Sequence, residues 1–588
     1  MATTYDKASL VMIPSGVKES KLYSIKPTDG SGDSTFSRGT DTATRVNASG
    51  LIEKERGNLV TYSNTFSNAV WVKSAANVTG GQTGYDGSSD AWALTPTATS
   101  GSHRVYHSSV GSSGIVTCSV YAKANGYSHL FIYANTSSGD DRAAWFDLSG
   151  GSVGTQTNKI IDATITSVGG GWYRCDVKQD NSLGLLELYV GDGENISFTG
   201  NGTSGILIQD AQVNQGLVAQ PYIETTTAAV YEGITDNLPR LDYSGGASCP
   251  SLLLEPSRTN LLTHSEYIAD WSQTNATTAS NQATSPEGVN NASLSTATGS
   301  GAHAPYDTLA ASVTSGANYT MSIFYKKGTT NYLRFEEGYT GIGIDIDIDA
   351  ESATPRNGAT NANIEDYGNS WYRASFGFTG HGSGSSQIVV YIKNSSDQTS
   401  YTASGESVYL YGAQLEAGSY PTSYIPTYGT SASRAADIPT ISSGSSIFND
   451  SEGTFYAEIE GLSDTTSTKV ITIGDGTSSN RLQIFYQAGT NITTNLISGG
   501  SSQTTGFTTA ATQTDNNKVL IRYASNNAKM YLNGAEIASD VSVTPPSGLN
   551  VLRFNNGTGA ALFEGEVKQL LYFDTALTDA ECIALTTL

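Results

Sequence analysis

The stretch VTCSVYAKANGYSHLFI, residues 116–132, decides the fold because it recurs as YTMSIFYKKGTTNYLRF at residues 319–335. In both copies apolar and polar residues alternate on either side of a short glycine-bearing turn. This is the period-2 pattern of strands that bury one face. Such strands cover their apolar face by packing against a second sheet. The recurrence therefore predicts a β-sandwich that the chain contains twice.

Four further blocks recur in the same order, each displaced by about 200 residues, which indicates a duplicated domain. A repeat unit of roughly 170 residues fits a jelly roll better than an immunoglobulin-like domain of about 100 residues. The paired blocks are GNLVTYSNTFSNAVW and TNLLTHSEYIADW (57–71 and 259–271), YDGSSDAWAL and PEGVNNASLS (85–94 and 286–295), WYRCDV and WYRASF (172–177 and 371–376), and ILIQDAQVNQG and VYLYGAQLEAG (206–216 and 408–418).

Composition supports an all-β chain and excludes two classes of partner. A chain of 588 residues is too long for a single hydrophobic core. Its 63 glycines and 33 tyrosines are typical of short strands joined by turns. The net charge is −23 and no Lys/Arg cluster occurs, so we expect no nucleic-acid partner. No apolar run approaches the ~18 residues of a membrane span, and the first 20 residues lack a signal-peptide pattern. We therefore expect no membrane insertion.

The rest of the chain divides around the two repeats. The C-terminal part matches neither copy and contains further strands, a hairpin signal at Asn533-Gly534 and one short terminal helix capped by Thr578 or Asp579. The N-terminal pieces carry too little apolar surface for a core, so we expect them to pack on another domain or on a partner chain. The predicted units are an extended N-terminal docking segment (1–56), jelly roll 1 (57–228), a connector (229–256), jelly roll 2 (257–428), a linker (429–446) and a C-terminal domain (447–588).

The acidic run GIGIDIDIDAE, residues 341–351, admits three interpretations. Alternate acids share one strand face, as in the catalytic E-x-D-x-x-E strand of laminarinase-like β-glucanases, but the spacing and residue types differ. In the repeat alignment Asp347 coincides with Asp147, whereas Asp345 coincides with Trp145. Catalysis by the whole run is therefore disfavoured, because the other copy lacks it.

The second interpretation is a calcium loop, and the third is structural. An EF-hand loop beginning at Asp345 would need glycine and glutamate where Ala350 and Arg356 stand, which leaves only a looser calcium site. In the structural interpretation the isoleucines face the core. Asp147 and Asp347 then precede a hairpin turn and accept backbone N–H groups. We favour this structural interpretation.

Neither a catalytic constellation nor a zinc motif is present. The sequence contains no H-E-x-x-H, no G-x-S-x-G and no phosphate loop, so we assign no catalytic residue and predict a non-enzymatic protein. The four cysteines form no C-x-x-C. Cys118 and Cys175 lie in strands of one domain, and they are either a disulfide or two buried thiols.

Three segments resemble structural proteins of tailed bacteriophages, such as tail fibres and head fibres: TFSRGTDTATRVNASGLIE (35–53), NLPRLDYSGGASCPSLLLEPSRTNLL (237–262) and YGAQLEAGSYPTSYIPT (411–427). The repeats resemble jelly rolls of carbohydrate-binding modules. KMYLNGAEI (529–537) followed by LLYFDTALTDAE (570–581) resembles a laminin-G or concanavalin A-like domain. The fold class implied is all-β, with two repeated jelly-roll sandwiches followed by a concanavalin A-like sandwich.

The resemblance implies function, partners and location. It implies a virion appendage, assembled in the host cytoplasm, whose partners are other virion proteins and host-surface glycans bound without cleavage, and which forms a homo-oligomer, a trimer by resemblance. The alternatives are a structural capsid decoration or tail spacer without a ligand, and a polysaccharide depolymerase.

Candidate ligand residues follow from the same resemblance. Sugars stack on exposed aromatic rings beside polar side chains, although each such ring can instead be buried. The aromatic candidates are Tyr121, Tyr133, Trp145, Tyr325, Tyr332 and Tyr391. No cofactor is required. A structural calcium is implied near the equivalent loops at Asp86 and Glu287, with Glu416 on a late strand, where the alternative is a simple turn.

Overall fold

The computed structural model describes residues 2–136, 142–309, 313–382, 385–464, 467–487 and 489–588. Nearly all regular structure in these ranges is β, which confirms the all-β prediction. The described helices are α1 (Ala2–Lys7), α2 (Asp579–Thr586) and two 3-10 turns (Ser244–Gly246 and Ile268–Asp270). None of the described helices is long and apolar enough to cross a membrane.

The first jelly roll is a two-sheet sandwich preceded by the strands of the N-terminal segment. Its β12 sheet has the order β16-β17-β12-β20-β10-β9, and its β13 sheet has the order β15-β14-β13-β18-β11, with β8 and β19 also pairing with β11. The strands are β1 Leu10–Met12, β2 Val17–Lys18, β3 Lys21–Leu22, β4 Ser34–Ser37, β5 Arg45–Val46, β6 Ile52–Glu53, β7 Arg56–Asn58, β8 Trp71–Ser74, β9 Ala76–Gln82, β10 Ala91–Pro96, β11 Ser100–His107, β12 Val116–Asn125, β13 His129–Thr136, β14 Ala143–Asp147, β15 Ser152–Gln156, β16 Asp162–Gly169, β17 Trp172–Gln179, β18 Leu183–Gly191, β19 Ser197–Thr199 and β20 Gly205–Gln215.

The second jelly roll repeats both strand orders. Its β30 sheet is β34-β35-β30-β38-β27-β26 and its β31 sheet is β33-β32-β31-β36-β29-β25, while β28 pairs with β37. The connector and second-sandwich strands are β21 Val230–Glu232, β22 Arg240–Asp242, β23 Ser251–Leu254, β24 Arg258–Asn260, β25 Ser272–Thr274, β26 Ala276–Ala283, β27 Ala292–Ala297, β28 Ser300–Ala302, β29 Ala304–Thr308, β30 Asn318–Lys327, β31 Tyr332–Glu337, β32 Ile342–Asp347, β33 Ser352–Arg356, β34 Thr360–Asp366, β35 Trp371–Thr379, β36 Gln387–Ile392, β37 Ser400–Thr402 and β38 Ser407–Ala417.

Individual hydrogen bonds recur between the two copies. The buried Asn58 amide donates to the carbonyls of Ala211 (3.1 Å) and Ile223 (2.8 Å). The Asn260 amide makes the same two bonds to residues 413 and 425, at 3.1 and 2.9 Å. Burying an amide without partners is costly, so one side chain ties the start of each repeat to its last strand. The duplication therefore extends to individual hydrogen bonds.

The C-terminal sandwich is completed by strands from elsewhere in the chain. One sheet has the order β22-β23-β51-β41-β47-β48-β49 with β1 also on β51, and the other has the order β2-β3-β4-β40-β50-β42-β43-β44-β45 with β46 on β44. The remaining strands are β39 Ala432–Arg434, β40 Ile438–Ile441, β41 Glu452–Gly461, β42 Lys469–Gly474, β43 Arg481–Gln487, β44 Asn491–Ser498, β45 Ser501–Ser502, β46 Thr508–Ala510, β47 Asn517–Ala524, β48 Asn527–Leu532, β49 Ala535–Asp540, β50 Val551–Arg553 and β51 Gly565–Phe573.

Three segments outside 447–588 thus belong to this sandwich. Strands β1 to β4 come from the N-terminal segment, β22 and β23 from the connector, and β40 from the predicted linker. Leu10, Phe36 and Leu252 are buried in the same apolar cluster as Phe455 and Leu570. The segment expected to pack on another domain or a partner chain therefore packs on the C-terminal domain of its own chain.

Two local predictions for the C-terminal part are confirmed. Strands β48 and β49 form a hairpin around Asn533 and Gly534, whose φ angles of 48° and 86° suit the two-residue turn. Helix α2 is capped by Thr578, whose hydroxyl accepts from the Glu581 N–H, and the Glu581 side chain accepts from Thr578 in return.

A buried ion network joins the segments that meet between the second and C-terminal sandwiches. Arg240 pairs with Glu255 at 2.6 Å and with Asp437, and Arg434 pairs with Glu255 at 2.9 Å. Arg38, from the N-terminal segment, reaches Asp437 at 3.3 Å. All five side chains are at most 2% exposed. We call Arg38, Arg240, Glu255, Arg434 and Asp437 the junction network.

Further hydrogen bonds are donated to the two carboxylates of the network, Glu255 and Asp437. The Ser423 N–H and hydroxyl each donate to Glu255 at 2.6 Å, and the Glu255 N–H donates to Asp437 at 2.9 Å. Burial would raise the pKa of Glu255, but Arg434 and Arg240 outweigh it and lower the pKa to about 2. The network therefore keeps Glu255 charged well into the acid range.

We expect Leu10→Ala to destabilise the C-terminal sandwich although the mutation lies more than 400 residues from it in sequence. Removing a fully buried leucine from a packed core costs about 3 kcal/mol. The C-terminal unfolding transition, measured calorimetrically, should move to lower temperature. Ile25→Ala, at a 46% exposed position of the same segment, is the control and should change stability by less than about 0.5 kcal/mol. Equal effects of the two substitutions would contradict the shared core.

Acid should open the junction, and Glu255→Gln should remove part of this pH dependence. A carboxylate with a lowered pKa stabilises the fold fully above its ordinary value of 4.5 and loses that contribution as pH falls towards about 2. This contribution is about 3 kcal/mol at neutral pH. Hydrogen exchange of peptides covering 423–437, divided by the intrinsic exchange rate at each pH, should rise between pH 4.5 and 2 in the native protein. In Glu255→Gln exchange should already be raised at pH 7 and should increase less with acid.

Candidate functional site

The outer side of the β13 sheet carries a row of aromatic rings. Leu130 and Ile132 of β13 point into the core, so the alternate residues Phe131 and Tyr133 point outward. Trp145 of β14 lies directly opposite Phe131 across the strand pair, and Tyr189 of β18 lies opposite it on the other side. We call Phe131, Tyr133, Trp145 and Tyr189 the aromatic face.

The rings of the aromatic face pack on one another around Phe131. Its centroid lies 4.7 Å from Trp145, 5.7 Å from Tyr189 and 6.2 Å from Tyr133, whose ring is nearly parallel to it at 10°. Gly191 makes room for the indole, because a Cβ there would lie 2.4 Å from the Trp145 ring. Trp145 and Tyr189 are 7% and 5% exposed, so their ring positions are fixed by packing.

Charged groups flank the aromatic face on β11 and β18. The Arg104 guanidinium lies 5.2 Å from the centroids of both Tyr106 and Tyr189 and pairs with Glu187 at 3.2 Å. The Tyr189 hydroxyl donates to Glu187 at 2.8 Å and accepts from Arg104. Burial and the bond to Glu187 raise the pKa of Tyr189 to about 12. The half-buried rings of Phe131 and Tyr133 thus adjoin positioned donors and acceptors, an arrangement that can stack on a sugar and hydrogen-bond its hydroxyls.

The same face of the second sandwich carries ions in place of rings. Asp345 occupies the position of Trp145, and Arg334, directly opposite it, occupies that of Phe131. Lys393, next to Tyr332, occupies the position of Gly191. Asp345 contacts Arg334 at 2.9 Å, Lys393 at 2.9 Å and Arg356 at 3.0 Å. Burial would raise the pKa of Asp345, but hydrogen bonds from these cations lower it.

The acidic run of residues 341–351 is therefore structural, as we favoured. Ile344 and Ile346 lie in the core of the second sandwich. Asp347 accepts the N–H groups of Asp349 and Ala350, both at 3.1 Å, at the hairpin turn. Asp147 likewise accepts the Ser149 N–H at 2.8 Å. The run does not converge on a cleft, because Asp345 is held by three cations of its own sheet.

The six predicted aromatic residues fall into three groups. Tyr133 and Trp145 belong to the aromatic face. Tyr332 and Tyr391 lie on strands β31 and β36, and Tyr391 faces Arg334 beside the Asp345 ion cluster. Tyr121 and Tyr325 lie on the other sheet of each sandwich and are buried.

Tyr121 and Tyr325 do not offer a ring to a ligand in this structure. Tyr121 is stacked on Tyr85 at 3.8 Å and covered by the Arg174 guanidinium at 5.4 Å. Tyr325 is fully buried in the sandwich core, and its hydroxyl has no hydrogen-bond partner among the described residues. Phe324 and Tyr325 are consecutive, so only one can point outward, and Phe324 takes the position equivalent to Tyr121. Both placements correct the sequence-based expectation.

Sequence reasoning missed Phe131, Tyr189, Arg104 and Glu187 of this face. Phe131 and Tyr133 could have been found together, because both alternate with the apolar residues of SHLFIYA. Arg104 and Glu187 carried no comparable signal, because their meeting depends on the pairing of β11 with β18.

The three predicted calcium ligands have partners within the chain. Glu416 is fully buried and accepts from Gln414 (2.6 Å) and from the Thr422 N–H (2.8 Å) and hydroxyl (2.6 Å). Asp86 accepts the Ser88 N–H (3.0 Å) and hydroxyl (2.6 Å) in a turn. No group of three or more potential metal ligands occurs in the described ranges. A calcium site at Asp86 stays a prediction of the resemblance.

Glu287 binds a cation supplied by the chain itself. Lys54, from the N-terminal segment, places its ammonium 2.5 Å from Glu287 and 2.7 Å from Glu266. The Tyr428 ring lies 5.3 Å from the same ammonium, and Tyr411 donates to Glu287. Burial would lower the pKa of Lys54, but Glu266 and Glu287 raise it well above its ordinary value. We call this group the Lys54 cage.

The two strand-borne cysteines are buried thiols. Cys118 and Cys175 are both free and lie on neighbouring strands, but Cys118 faces Val177 and Cys175 faces Val120. Burial raises the pKa of each thiol. Of the two alternatives, the structure shows the reduced pair.

Comparisons with known proteins identify the C-terminal domain most directly. The family model described as "Concanavalin A-like lectin/glucanases superfamily" matches residues 433–582. No curated protein matches the chain. The match confirms the concanavalin A-like prediction for this part and includes the segment of β39 and β40 that we had taken as a linker.

Several solved structures of carbohydrate-binding proteins resemble parts of the chain. The CBM40 module of Ruminococcus gnavus IT-sialidase, bound to α2,3-sialyllactose, is 20% identical over 24% of this chain and 84% of its own, with a TM-score of 0.21. The CBM22-1–CBM22-2 tandem of Paenibacillus barcinonensis Xyn10C is 11% identical over 65% of this chain and 100% of its own, with a TM-score of 0.21. Neither a ligand nor an activity follows from likenesses of this size.

We expect Lys54→Met to destabilise the protein by about 3–5 kcal/mol at neutral pH, because it leaves Glu266 and Glu287 buried without their cation. Lys7→Met is the matched control: Lys7 pairs with Glu581 but is 53% exposed, so its loss should cost less than about 1 kcal/mol. Urea unfolding measures both. Adding Glu287→Gln to Lys54→Met should recover part of the loss. A loss in Lys54→Met no greater than in Lys7→Met would contradict the cage.

Proposed function

We propose that the protein binds glycans without cleaving them, through the aromatic face of its first sandwich, as an appendage of a tailed-phage virion. The observation that supports glycan binding most directly is the pair of half-buried rings of Phe131 and Tyr133, which pack on the buried Trp145 and Tyr189 beside the Arg104–Glu187 pair. A hexose presents an apolar face of C–H groups and a rim of hydroxyls. The rings match the first, and the ion pair matches the second.

Binding is assigned to the first sandwich and not to the second. In the second copy Asp345 and its three cations satisfy one another where the first copy has rings. Displacing such an ion cluster to seat a neutral sugar would leave charges unpaired, which is costly. The duplicated domain therefore provides one glycan site, and the second copy supports the structure around the junction network.

The non-catalytic part of the proposal rests on the state of the acids. Glycoside hydrolysis uses a pair of carboxyl groups on either side of the scissile bond. Glu187 is held by Arg104 and Tyr189, and Asp345 is held by three cations. The match to a superfamily that includes glucanases covers the C-terminal domain, and the aromatic face lies outside it.

The virion assignment rests on the sequence resemblance, and one feature of the fold accords with it. The segments 35–53, 237–262 and 411–427, which resemble phage structural proteins, supply Arg38, Arg240, Glu255 and Ser423 to the junction. In this proposal the protein is assembled in the host cytoplasm, contacts other virion proteins and forms a homo-oligomer, a trimer by resemblance. Immunogold labelling of particles from a lysate that contains the protein tests the location.

A spacer without a ligand is the second candidate, favoured by the rigidity of the junction network. A part that only separates other proteins requires fixed domain geometry and no binding face. The depolymerase is the third, and release of reducing ends from a bound polysaccharide would revive it. Binding measurements distinguish both from the first proposal.

Phe131→Ala should weaken glycan binding at least about tenfold, because an aromatic anchor at the centre of an interface carries about 2 kcal/mol or more. The purified full-length protein is first screened on a glycan array and on whole bacterial cells. The affinity for the best ligand is then measured by calorimetry. Tyr332→Ala, on the equivalent face of the second sandwich, is the matched control and should stay within about twofold of the native value.

Each contrary outcome identifies a different error. If the native protein binds neither cells nor sugars, the spacer is favoured. If it binds and Phe131→Ala has no effect, the aromatic face is not the site. If Tyr332→Ala is the variant that loses binding, the second sandwich carries the ligand.

A further inference from the structure

A cleft of about 810 Å³ lies between the two jelly rolls and the N-terminal segment. Its walls come from different parts of the chain: Asp41 and Glu55 from the N-terminal segment, Gln220 from the first sandwich, Tyr231 from the connector and Tyr428 from the end of the second sandwich. Ligand pockets typically measure about 300–1,000 Å³, so this cleft has room for an oligosaccharide of a few units or a ligand of similar size.

Six carboxyl groups line the cleft, and not all of them have an ion-pair partner among the described residues. Four of its lining carboxylates are paired with cations, namely Glu53 with Arg45, Asp180 with Arg142, Glu232 with Arg56 and Glu287 with Lys54. The other two, Asp41 and Glu55, have no ion pair in the part of the chain that the structure describes. Both belong to one loop-rich stretch of the N-terminal segment, where burial and Asp41 raise the pKa of Glu55 and Arg38 lowers it.

The floor of the cleft contains two acids that share one cation. Lys54 and Tyr428 line the cleft and both contact Glu266, which is 1% exposed. One ammonium is shared there by Glu266 and Glu287, and the Glu266 Oε2 atom has no hydrogen-bond partner among the described residues. Burial raises the pKa of Glu266 despite Lys54, so this acid takes up a proton more readily than an exposed glutamate does.

The rim of the cleft provides a fixed aromatic ring. Tyr231 is 47% exposed, and its ring packs against Gly57, where a Cβ would lie 2.5 Å from Cδ1. Tyr231 pairs with Gly57, which sets Glu55 on the same strand face as the Tyr231 ring. Burial, Glu55 and Asp41 raise the pKa of the Tyr231 phenol. An exposed ring beside carboxyl groups that lack an ion pair attracts a cation more strongly than either feature alone.

The geometry points to a cleft that binds a small polar ligand carrying primary ammonium groups, with Asp41 and Glu55 receiving the ammonium and Tyr231 stacking beside it. A divalent metal is less well matched, because no group of three or more potential ligands converges among the described residues, and calcium takes six to eight oxygens. Ammonium needs only charge and acceptors. This site is independent of the aromatic face.

The state of Glu55 supplies a distinctive signature of such binding. Burial, together with Asp41 and Asp236, raises the pKa of Glu55 to about 8, so the free protein holds a proton there at neutral pH. An arriving ammonium stabilises the ionised carboxylate and expels that proton. Binding should therefore release about one proton at pH 6–7, which appears as a dependence of the binding heat on the buffer's ionisation enthalpy.

The test is calorimetry on the full-length protein at pH 6.5 with three probes. Glucosamine trisaccharide carries ammonium and hydroxyl groups, N,N′,N″-triacetylchitotriose carries the hydroxyls without the charge, and spermidine carries the charge without the hydroxyls. The glucosamine trisaccharide should bind with proton release, and the acetylated sugar should bind at least about tenfold more weakly. If spermidine binds as tightly as the glucosamine trisaccharide, the ammonium site is supported and a polyamine is an equally good ligand.

Charge-matched variants locate the binding. Asp41→Asn/Glu55→Gln should weaken glucosamine trisaccharide at least about tenfold and abolish the proton release. Glu19→Gln/Asp29→Asn changes the net charge equally at exposed positions of the same segment and should stay within about twofold. In Phe131→Ala, which removes the central ring of the aromatic face, binding of the amine should persist. The proposal is overturned if neither amine binds, if the acetylated sugar binds as tightly, or if the Asp41/Glu55 variant behaves like its control.

Discussion

The structure depends on an ion network in which three arginines and two carboxylates are withdrawn from water together. Arg240 contacts both Glu255 and Asp437, Arg434 shares Glu255, and Arg38 reaches Asp437 from the far N-terminal segment. Isolated, any one of these charges would be too costly to bury, so the segments that carry them must arrive together. Such a network contributes little net energy relative to an apolar core, but it fixes one arrangement of chain segments. Domain geometry is therefore set at this point.

Duplication preserved the frame of the jelly roll while the outward surface diverged. The Asn58 and Asn260 amides bind carbonyls at the same offset, and both sandwiches have the same strand order. Three positions on the outer sheet differ together. Trp145, Phe131 and Gly191 of the first copy correspond to Asp345, Arg334 and Lys393 of the second. Each set is internally consistent, because the indole needs the space above Gly191 and Asp345 needs Lys393 in that space. A lysine at position 191 would clash with Trp145, and a glycine at position 393 would remove one of the cations that pair with Asp345.

Periodicity and self-comparison were sufficient to predict the duplicated sandwich, the hairpin at Asn533 and the capped terminal helix, because these depend on local pattern. The aromatic face was half predicted: Tyr133 and Trp145 lie on it, whereas Tyr325 lies one residue out of phase and points into the core. Lys54 could not have been paired with Glu287 from sequence, since more than 200 residues separate them and no repeat signal connects them. For the same reason, sequence separation without a repeat signal, the strands that residues 10–37 add to the C-terminal sheets could not be predicted.

The placement of β1 on β51 has a consequence for the order of synthesis. The ribosome delivers Leu10 more than 500 residues before its partner strand, so the earliest strands stay unpaired while both jelly rolls fold. Only a chain translated through β51 can close this sheet. A product terminated before β51 would keep exposed strand edges, which favour aggregation. Pairing β1 with β51 thus makes closure of the sheet depend on synthesis through Phe573.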